Sequence, residues 1–358
     1  MGHSQEEPER IREALRQADQ ALAEALDARA RAVREAVALR ERSPDLYFSL
    51  PRDHEVIAYT TERVKELPAQ AVSAVMTEVL SACSALVAPP IIAYVGQAGG
   101  FGHQAARKKF GSSAVLRPVD SAAEVLSEVE RGQADFGIVP FETSHDGAVT
   151  ATLNLLARSE LKISAEIPIR RAFHLISQSG ERDEVHKIYA SSSAIAACEH
   201  YLAEHFPEAT IIDVRNGVIA ADHAAREPDA AALTTDLVAT TSKLTIVERS
   251  LEDVEDLETR YVAVGNDFPP RTGLDRTAVA LALHDAPGVL MECLRPFADR
   301  KLNLYRLETR PARGWEFRYL ILFEVDGHIT DRSVLAAIEE LRGSSRYVKV
   351  LGSYPRSA

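Results

Sequence analysis

Cysteine is scarce in this chain. The three present, Cys83, Cys198 and Cys293, lie far apart and form no CxxC pair. That excludes a disulfide framework and a zinc ribbon, and it points to a reducing compartment. Uninterrupted apolar sequence is also scarce. The longest such stretch, Val79 to Val95, is broken by Pro89-Pro90 and cannot cross a bilayer as a helix. Positive charge is short as well: 41 Lys and Arg stand against 53 Asp and Glu, a formal net charge of -12. Such a balance disfavours nonspecific binding to nucleic acid or to anionic membranes. It still allows a small arginine-lined pocket with a local positive field. The 11 histidines are scattered, and His200 and His205 do not share a helix face, so no metal site is expected. The first residues are polar and acidic, unlike a signal peptide. The expected location is the cytoplasm.

What the chain does have is length and core-forming material. Its 358 residues, 46% hydrophobic and 26% charged, describe a folded protein of two to four domains. Residues 9–42 are rich in Ala, Arg, Glu and Leu. Ile11, Leu15, Leu22, Leu26, Val33 and Val37 recur at helical intervals, which predicts one long amphipathic helix. Helical patterns at 52–66 and 68–87 follow. Three such helices cannot bury their own stripes, so a dimeric bundle is expected.

Beyond Pro90 the pattern becomes strands alternating with helices, which predicts an α/β domain with a largely parallel sheet. A second α/β lobe is expected from about Ile167 to Val247, with the chain returning to the first lobe through Thr259–Val264. Two lobes so connected leave a cleft, a common place for a small-molecule site. After a linker at Asp267–Gly273, a βαββαβ order from Thr277 to Gly352 predicts a ferredoxin-like domain.

Three motif groups carry chemistry. The first joins Thr259-Arg260-Tyr261 to Glu142-Thr143-Ser144 and Gly147. The second pairs Pro287-Gly288-Val289-Leu290 with Glu308-Thr309-Arg310-Pro311. A glycine at a helix N-terminus lets backbone N–H groups approach a carboxylate. The third is a set of arginines on the first helix. Arg29 and Arg40 share a face, whereas Arg12 lies on another. Arginines so placed can each grip a carboxylate bidentately.

Together these motifs resemble the bifunctional chorismate mutase/prephenate dehydratase family with its C-terminal ACT domain. The resemblance implies three domains: a chorismate mutase-like helical bundle (1–88), a two-lobed, periplasmic-binding-protein-like α/β dehydratase domain (90–268, with lobes 90–166 plus 255–268 and 167–254), and a regulatory ACT domain (274–358). It implies conversion of prephenate to phenylpyruvate without metal or organic cofactor, in a homodimer or larger homo-oligomer. Thr259, as hydroxyl donor, and Arg260 would be catalytic. Glu142, Thr143, Ser144, Gly147, Gly100 and Gly102 would bind substrate, and Arg12, Arg29 and Arg40 would form the mutase-like site. Gly288, Val289, Leu290, Glu308, Thr309, Arg310 and Pro311 would bind L-phenylalanine as effector.

The sequence also departs from the family. Gly96-Gln97-Ala98-Gly99-Gly100-Phe101-Gly102 replaces a Gly-Pro-x-Gly-Thr-Phe-Ser pattern, so two hydroxyls are absent and Gly100→Thr with Gly102→Ser is expected to restore them. Ser191-Ser192-Ser193 and Asn216-Gly217-Val218 replace other polar runs, and Leu257 stands at an Asn. In the helical part Leu50–Glu55 and Val87 replace mutase motifs. Three alternatives therefore stay open: a paralogue acting on a related cyclohexadienyl acid, such as a prephenate decarboxylase; a silent phenylalanine-binding regulator; and a dinucleotide-dependent oxidoreductase, from Gly100-Phe101-Gly102 with Asp120.

Overall fold

A computed structural model describes residues 3–42, 53–145, 147–284, 286–312, 316–317 and 319–357. Two compact units emerge. One holds the residues up to Pro90 with Lys108–Val115; the other holds Ile91–Arg107 and everything from Leu116 onward.

The first unit is helical, with α1 (His3–Arg42), α2 (Asp53–Arg63) and α3 (Ala69–Ala85). Helix α3 supplies the buried residues Val72, Leu80 and Cys83, and α2 buries none. The stripe on α1 is left in solvent: Ile11, Leu15 and Leu22 are 52%, 61% and 59% exposed. Among the described residues, no helix is long and apolar enough to cross a membrane.

The second unit begins with β1 (Ile91–Val95), α4 (Phe101–Phe110), β2 (Val115–Val119), α5 (Ala122–Glu130), β3 (Phe136–Thr143), β4 (Gly147–Ala148), α6 (Thr150–Arg158) and β5 (Lys162–Arg170). The chain crosses to β6 (Phe173–Ser177), β7 (Lys187–Ala190), α7 (Ser192–Ala197), α8 (Glu199–His205), β8 (Thr210–Asp213), α9 (Gly217–Ala224), β9 (Ala230–Thr235), α10 (Asp236–Thr241) and β10 (Thr245–Glu248). It returns through β11 (Glu258–Gly265). The βαββαβ order follows as β12 (Asp275–Leu283), α11 (Val289–Asp299), β13 (Leu304–Pro311), β14 (Tyr319–Asp326), α12 (Arg332–Ser344) and β15 (Ser345–Pro355).

Among the described residues the strands form two sheets. Strands β10-β6-β9-β7-β8 make one, and β13-β14-β12-β15-β5-β11-β3-β1-β2 make the other, with β4 against β3. The expected largely parallel sheet is corrected to a mixed one. β1 and β3 are parallel, but β11 re-enters from the second lobe between β3 and β5 and runs antiparallel to both. The C-terminal strands continue the same sheet, because Gly352 of β15 pairs with Ile163 of β5. A Cβ on Gly352 would lie 2.4 Å from the Ile163 carbonyl oxygen, so only glycine permits this approach.

Strand alternation then divides the core. Val279 and Leu281 of β12 pack with α11 and α12 through Phe297, Val334 and Ile338. Ala278 and Ala280, on the opposite face, join Ile163, Leu156, Val262 and Leu322.

Candidate active site

β11 is the axis of the site, and its pairing explains why two motifs 116 residues apart meet. Thr259 pairs with Thr143 and Arg260 with Glu142. Past the strand ends, Ser144 N donates to the Glu258 carbonyl (2.9 Å) and Glu258 N donates to Ser144 Oγ (3.0 Å). A bulge follows, with Tyr261 opposite Pro140, and leaves Phe141 unpaired with β11. Successive strand residues leave opposite faces, so Thr259 and Tyr261 share one face and Arg260 points to the other.

On its own face Arg260 is saturated by carboxylates. Its guanidinium contacts Glu142 (2.7 Å), Glu166 (2.9 Å) and Glu324 (2.7 Å). Glu324 is fully buried and also accepts from the Tyr354 hydroxyl at 2.5 Å. Arg276 bonds Glu166 at 2.9 Å and lies 3.5 Å over the Tyr305 ring. Arg306 reaches Glu142 at 2.8 Å and also pairs with Glu308, which Arg310 pairs with in turn. Four arginines thus balance four glutamates, and most of the cluster is out of water. Burial alone would raise the Glu324 carboxyl, but Arg260 and the Tyr354 hydroxyl hold it below the ordinary carboxylate range.

This face gathers residues expected in two separate sites. Glu142 and Gly147 come from the substrate-binding set and Arg260 from the catalytic pair, while Glu308 and Arg310 come from the effector set. The Ala148 N–H donates to both Glu308 oxygens, at 3.0 and 3.1 Å. Gly147 has φ +73°, and a Cβ there would lie 2.7 Å from Glu308 Oε1. Burial would raise Glu308, yet the Ala148 N–H with Arg306 and Arg310 keeps it lowered. The expectation that Arg260 works beside Thr259 therefore meets a guanidinium turned away from Thr259 and fully engaged.

The other face of β11 looks different. Thr259 is buried, and so is Tyr261, whose hydroxyl is pushed up to about 12 by burial against the opposing Arg171 charge. Arg171 was not singled out by its sequence. It follows Ile169, the β5 partner of Thr259, by two residues, and its N–H donates to the Leu257 carbonyl at 2.7 Å. Its guanidinium sits 5.6 Å from the Phe101 ring centroid, at the start of α4. Phe101 in turn meets Phe173 edge-on at 5.3 Å.

The glycine loop reaches this region, and its backbone corrects one expectation. A Cβ on Gly102 would lie 2.2 Å from the Val95 carbonyl oxygen, so a serine does not fit; on Gly100 it would meet the Gln97 carbonyl at 3.1 Å. Gly99, at φ +79°, packs against Val238 and Val218 of the second lobe, and its carbonyl accepts from Thr235 Oγ1 at 2.5 Å. The lobes are in contact here. Asn216 caps α9 by accepting from Val218 N and Ile219 N, both at 3.0 Å. Gly217 leaves no room beside Thr234. Gly102 and Gly217 are thus packing choices, and Asn216 marks a helix start.

Gly288 has φ +82° and opens α11, beside a shallow cavity lined by Val289, Leu290 and Met291. Thr309 pairs with Ile321, and Pro311 with Tyr319. In the helical unit, Arg12 pairs with Glu9 at 3.0 Å, whereas the Arg29 Nε is buried without a hydrogen-bond partner among the described residues. The Arg40 side chain and residues 43–52 lie outside the described residues, and Val87 is exposed. No cluster of three metal-ligating side chains occurs among the described residues.

Comparison with known proteins bears on this geometry. The profile of the prephenate dehydratase family matches residues 92–268. The bifunctional chorismate mutase/prephenate dehydratase of Aquifex aeolicus is 30% identical over 358 residues, covering 98% of this chain and 99% of that one. The prephenate dehydratase of Mycolicibacterium smegmatis is 34% identical over 280 residues, 74% of this chain and 90% of its own. The crystal structure of Arthrobacter aurescens prephenate dehydratase in complex with L-Phe is similar at TM-score 0.62 and 33% identity, covering 74% of this chain and 90% of that one. With 30% identity to a two-activity relative over nearly its full length and the β3–β11 motifs in register, the chain belongs to the bifunctional chorismate mutase/prephenate dehydratase family.

Proposed function

We propose that this chain converts prephenate to phenylpyruvate, in the formation of phenylalanine. The ring carboxylate leaves as CO2, its bonding electrons aromatise the ring, and the ring hydroxyl departs with a proton as water. The protein must hold the substrate, exclude water from the leaving carboxylate and supply a hydrogen bond to the departing oxygen. Thr259 is the donor in this reading. Arg260 acts through position: it locks β11 against β3 and β5 and does not touch substrate. The observation that carries the reading is the Thr259–Thr143 register, which sets these two residues of the two motifs side by side on one face. The test is incubation of the purified chain with prephenate and identification of the product by mass and ultraviolet spectrum. Phenylpyruvate from wild type, formed about 100-fold or more slowly by Thr259→Ala, supports it; a decarboxylated, non-aromatic product sends the reading to the paralogue alternative.

The domain reading follows. Residues 1–88 form a mutase-like helical domain, 90–268 a two-lobed, periplasmic-binding-protein-like dehydratase domain, and 274–358 an ACT domain. L-phenylalanine is the effector, as the L-Phe complex of the A. aurescens relative supports; Gly288 and Glu308–Pro311 are the residues assigned to hold it. The partnerless Arg29 Nε keeps chorismate a candidate second substrate, because a buried guanidinium nitrogen without an acceptor suits a carboxylate. The exposed stripe on α1 takes a second copy of the same chain.

A further inference from the structure

Arg170 and Arg171 are neighbours with different surroundings. Arg170 faces Glu252 at 3.8 Å and Asp256 at 3.5 Å. Arg171 is half-buried and, among the described residues, makes no ion pair. In a chain with 53 acids against 41 basic residues, a partly buried guanidinium without a carboxylate is out of pattern. The fork of an arginine is suited to bidentate carboxylate binding, and partial burial strengthens such a bond.

Its position is fixed from three sides. The backbone is tied to Leu257, two residues before Thr259. Diagonal neighbours on one face of a strand pair have Cα atoms about 7–8 Å apart, which sets Arg171 near Thr259 through Ile169. The guanidinium lies over Phe101, at the end of the glycine loop, and close enough to Tyr261 to oppose the rise of its phenol. The Arg171 cation, the Thr259 and Tyr261 hydroxyls and the Phe101 ring therefore gather toward a single face.

We infer that Arg171 is a substrate-binding residue that grips the side-chain carboxylate of a cyclohexadienyl keto acid, the carboxylate that the product keeps. The inference rests on the dehydratase reading above and deepens it. Thr259 would then face the ring hydroxyl while the carboxylate that leaves has no cation to hold it back. A guanidinium on the leaving carboxylate would stabilise the ground state and slow its loss; one on the retained carboxylate orients the substrate without that cost.

The test uses the full chain as wild type, Arg171→Lys and Arg171→Met. It measures prephenate turnover, equilibrium binding of phenylpyruvate, and binding of its neutral methyl ester. Arg171→Met should raise KM for prephenate about tenfold or more with kcat changed far less, the signature of lost uniform binding. It should weaken phenylpyruvate to the same degree and abolish the preference for the acid over the ester. Arg171→Lys keeps a charge over Phe101 but loses the fork, so it should fall between. Unchanged phenylpyruvate affinity and acid preference in a variant that melts like wild type overturn the inference. If Arg171→Met does not fold, unchanged affinity in Arg171→Lys does the same. A wild type that binds phenylpyruvate but leaves prephenate intact rejects the dehydratase reading, and the binding arm still decides on Arg171. A wild type that does not bind phenylpyruvate removes the inference.

Discussion

Thr259 and Arg260 are adjacent in the chain and act on different neighbours, because a strand turns successive side chains to opposite faces. Two substitutions separate these roles. Thr259→Ala removes one hydroxyl beside Thr143 without disturbing the ion cluster. It should cut kcat about 100-fold or more, as expected of a lost proton donor, while the melting temperature stays near wild type. Arg260→Met strands Glu142, Glu166 and Glu324 without their shared cation. Breaking a buried ion pair by removing one partner costs about 3–5 kcal/mol, so this variant should lose stability first and activity only as a consequence. Equal melting temperatures for the two variants would remove the division of labour. Gly102→Ser belongs with them: a Cβ 2.2 Å from the Val95 carbonyl must displace backbone. It should destabilise by about 1–3 kcal/mol or more and lower activity, read by chemical denaturation and prephenate turnover.

At the scale of elements, what was legible in the sequence depended on how local the signal is. The βαββαβ order reads directly from alternation and turn residues, and the structure returns it with shifted strand ends. The Thr259 and Glu142 motifs are legible as motifs, and the period of two sets their successive residues on opposite faces once β11 is a strand. Sheet order was hidden, because nothing local says that β11 inserts between β3 and β5 after a whole second lobe. The ion cluster leaves a trace in the sequence. Glu324 interrupts Leu320-Ile321-Leu322-Phe323 and Val325, and Glu166 stands among Ile163, Ala165 and Ile167. A carboxylate inside a buried strand requires a paired cation, and Arg260 was the candidate. Arg171 carried no such signal: its partnerless state is visible only when Arg170 is seen to take the nearby acids.

For the whole molecule, α1 and the ion cluster make separate demands. The stripe of Ile11, Leu15 and Leu22 stays in solvent within one chain. Fully burying a leucine-sized side chain contributes about 1.5–3 kcal/mol, so a partner helix is favoured. Leu15→Glu with Leu22→Glu should lower the oligomeric mass in sedimentation and leave prephenate turnover per chain intact. An unchanged mass would place the assembly contact elsewhere.

Acid titrates the second demand. Glu324 and Glu308 are both held below their ordinary range in the folded chain. A carboxyl depressed on folding contributes stability that is fully present above its unfolded pKa, about 4.3 for a glutamate. That contribution disappears as pH falls through the lower folded value. Protonation would free Arg260 from Glu324, which lies on β14, and free the Ala148 N–H from Glu308, which lies on β13. The first contact ties β14 to β11, which carries Thr259, and the second ties β13 to β4, which pairs with β3. The expected result is a melting temperature that holds steady near neutrality and drops steeply below about pH 4. Glu324→Gln keeps the shape of the side chain but can no longer release a proton, so its penalty should be wide at pH 7 and narrow as acid neutralises the wild-type carboxyl. The measurement is a pair of melting curves taken across pH 7 to pH 3. A gap between wild type and Glu324→Gln that stays constant over that range would mean the cluster does not titrate with folding. The acid limb would then belong to other carboxylates.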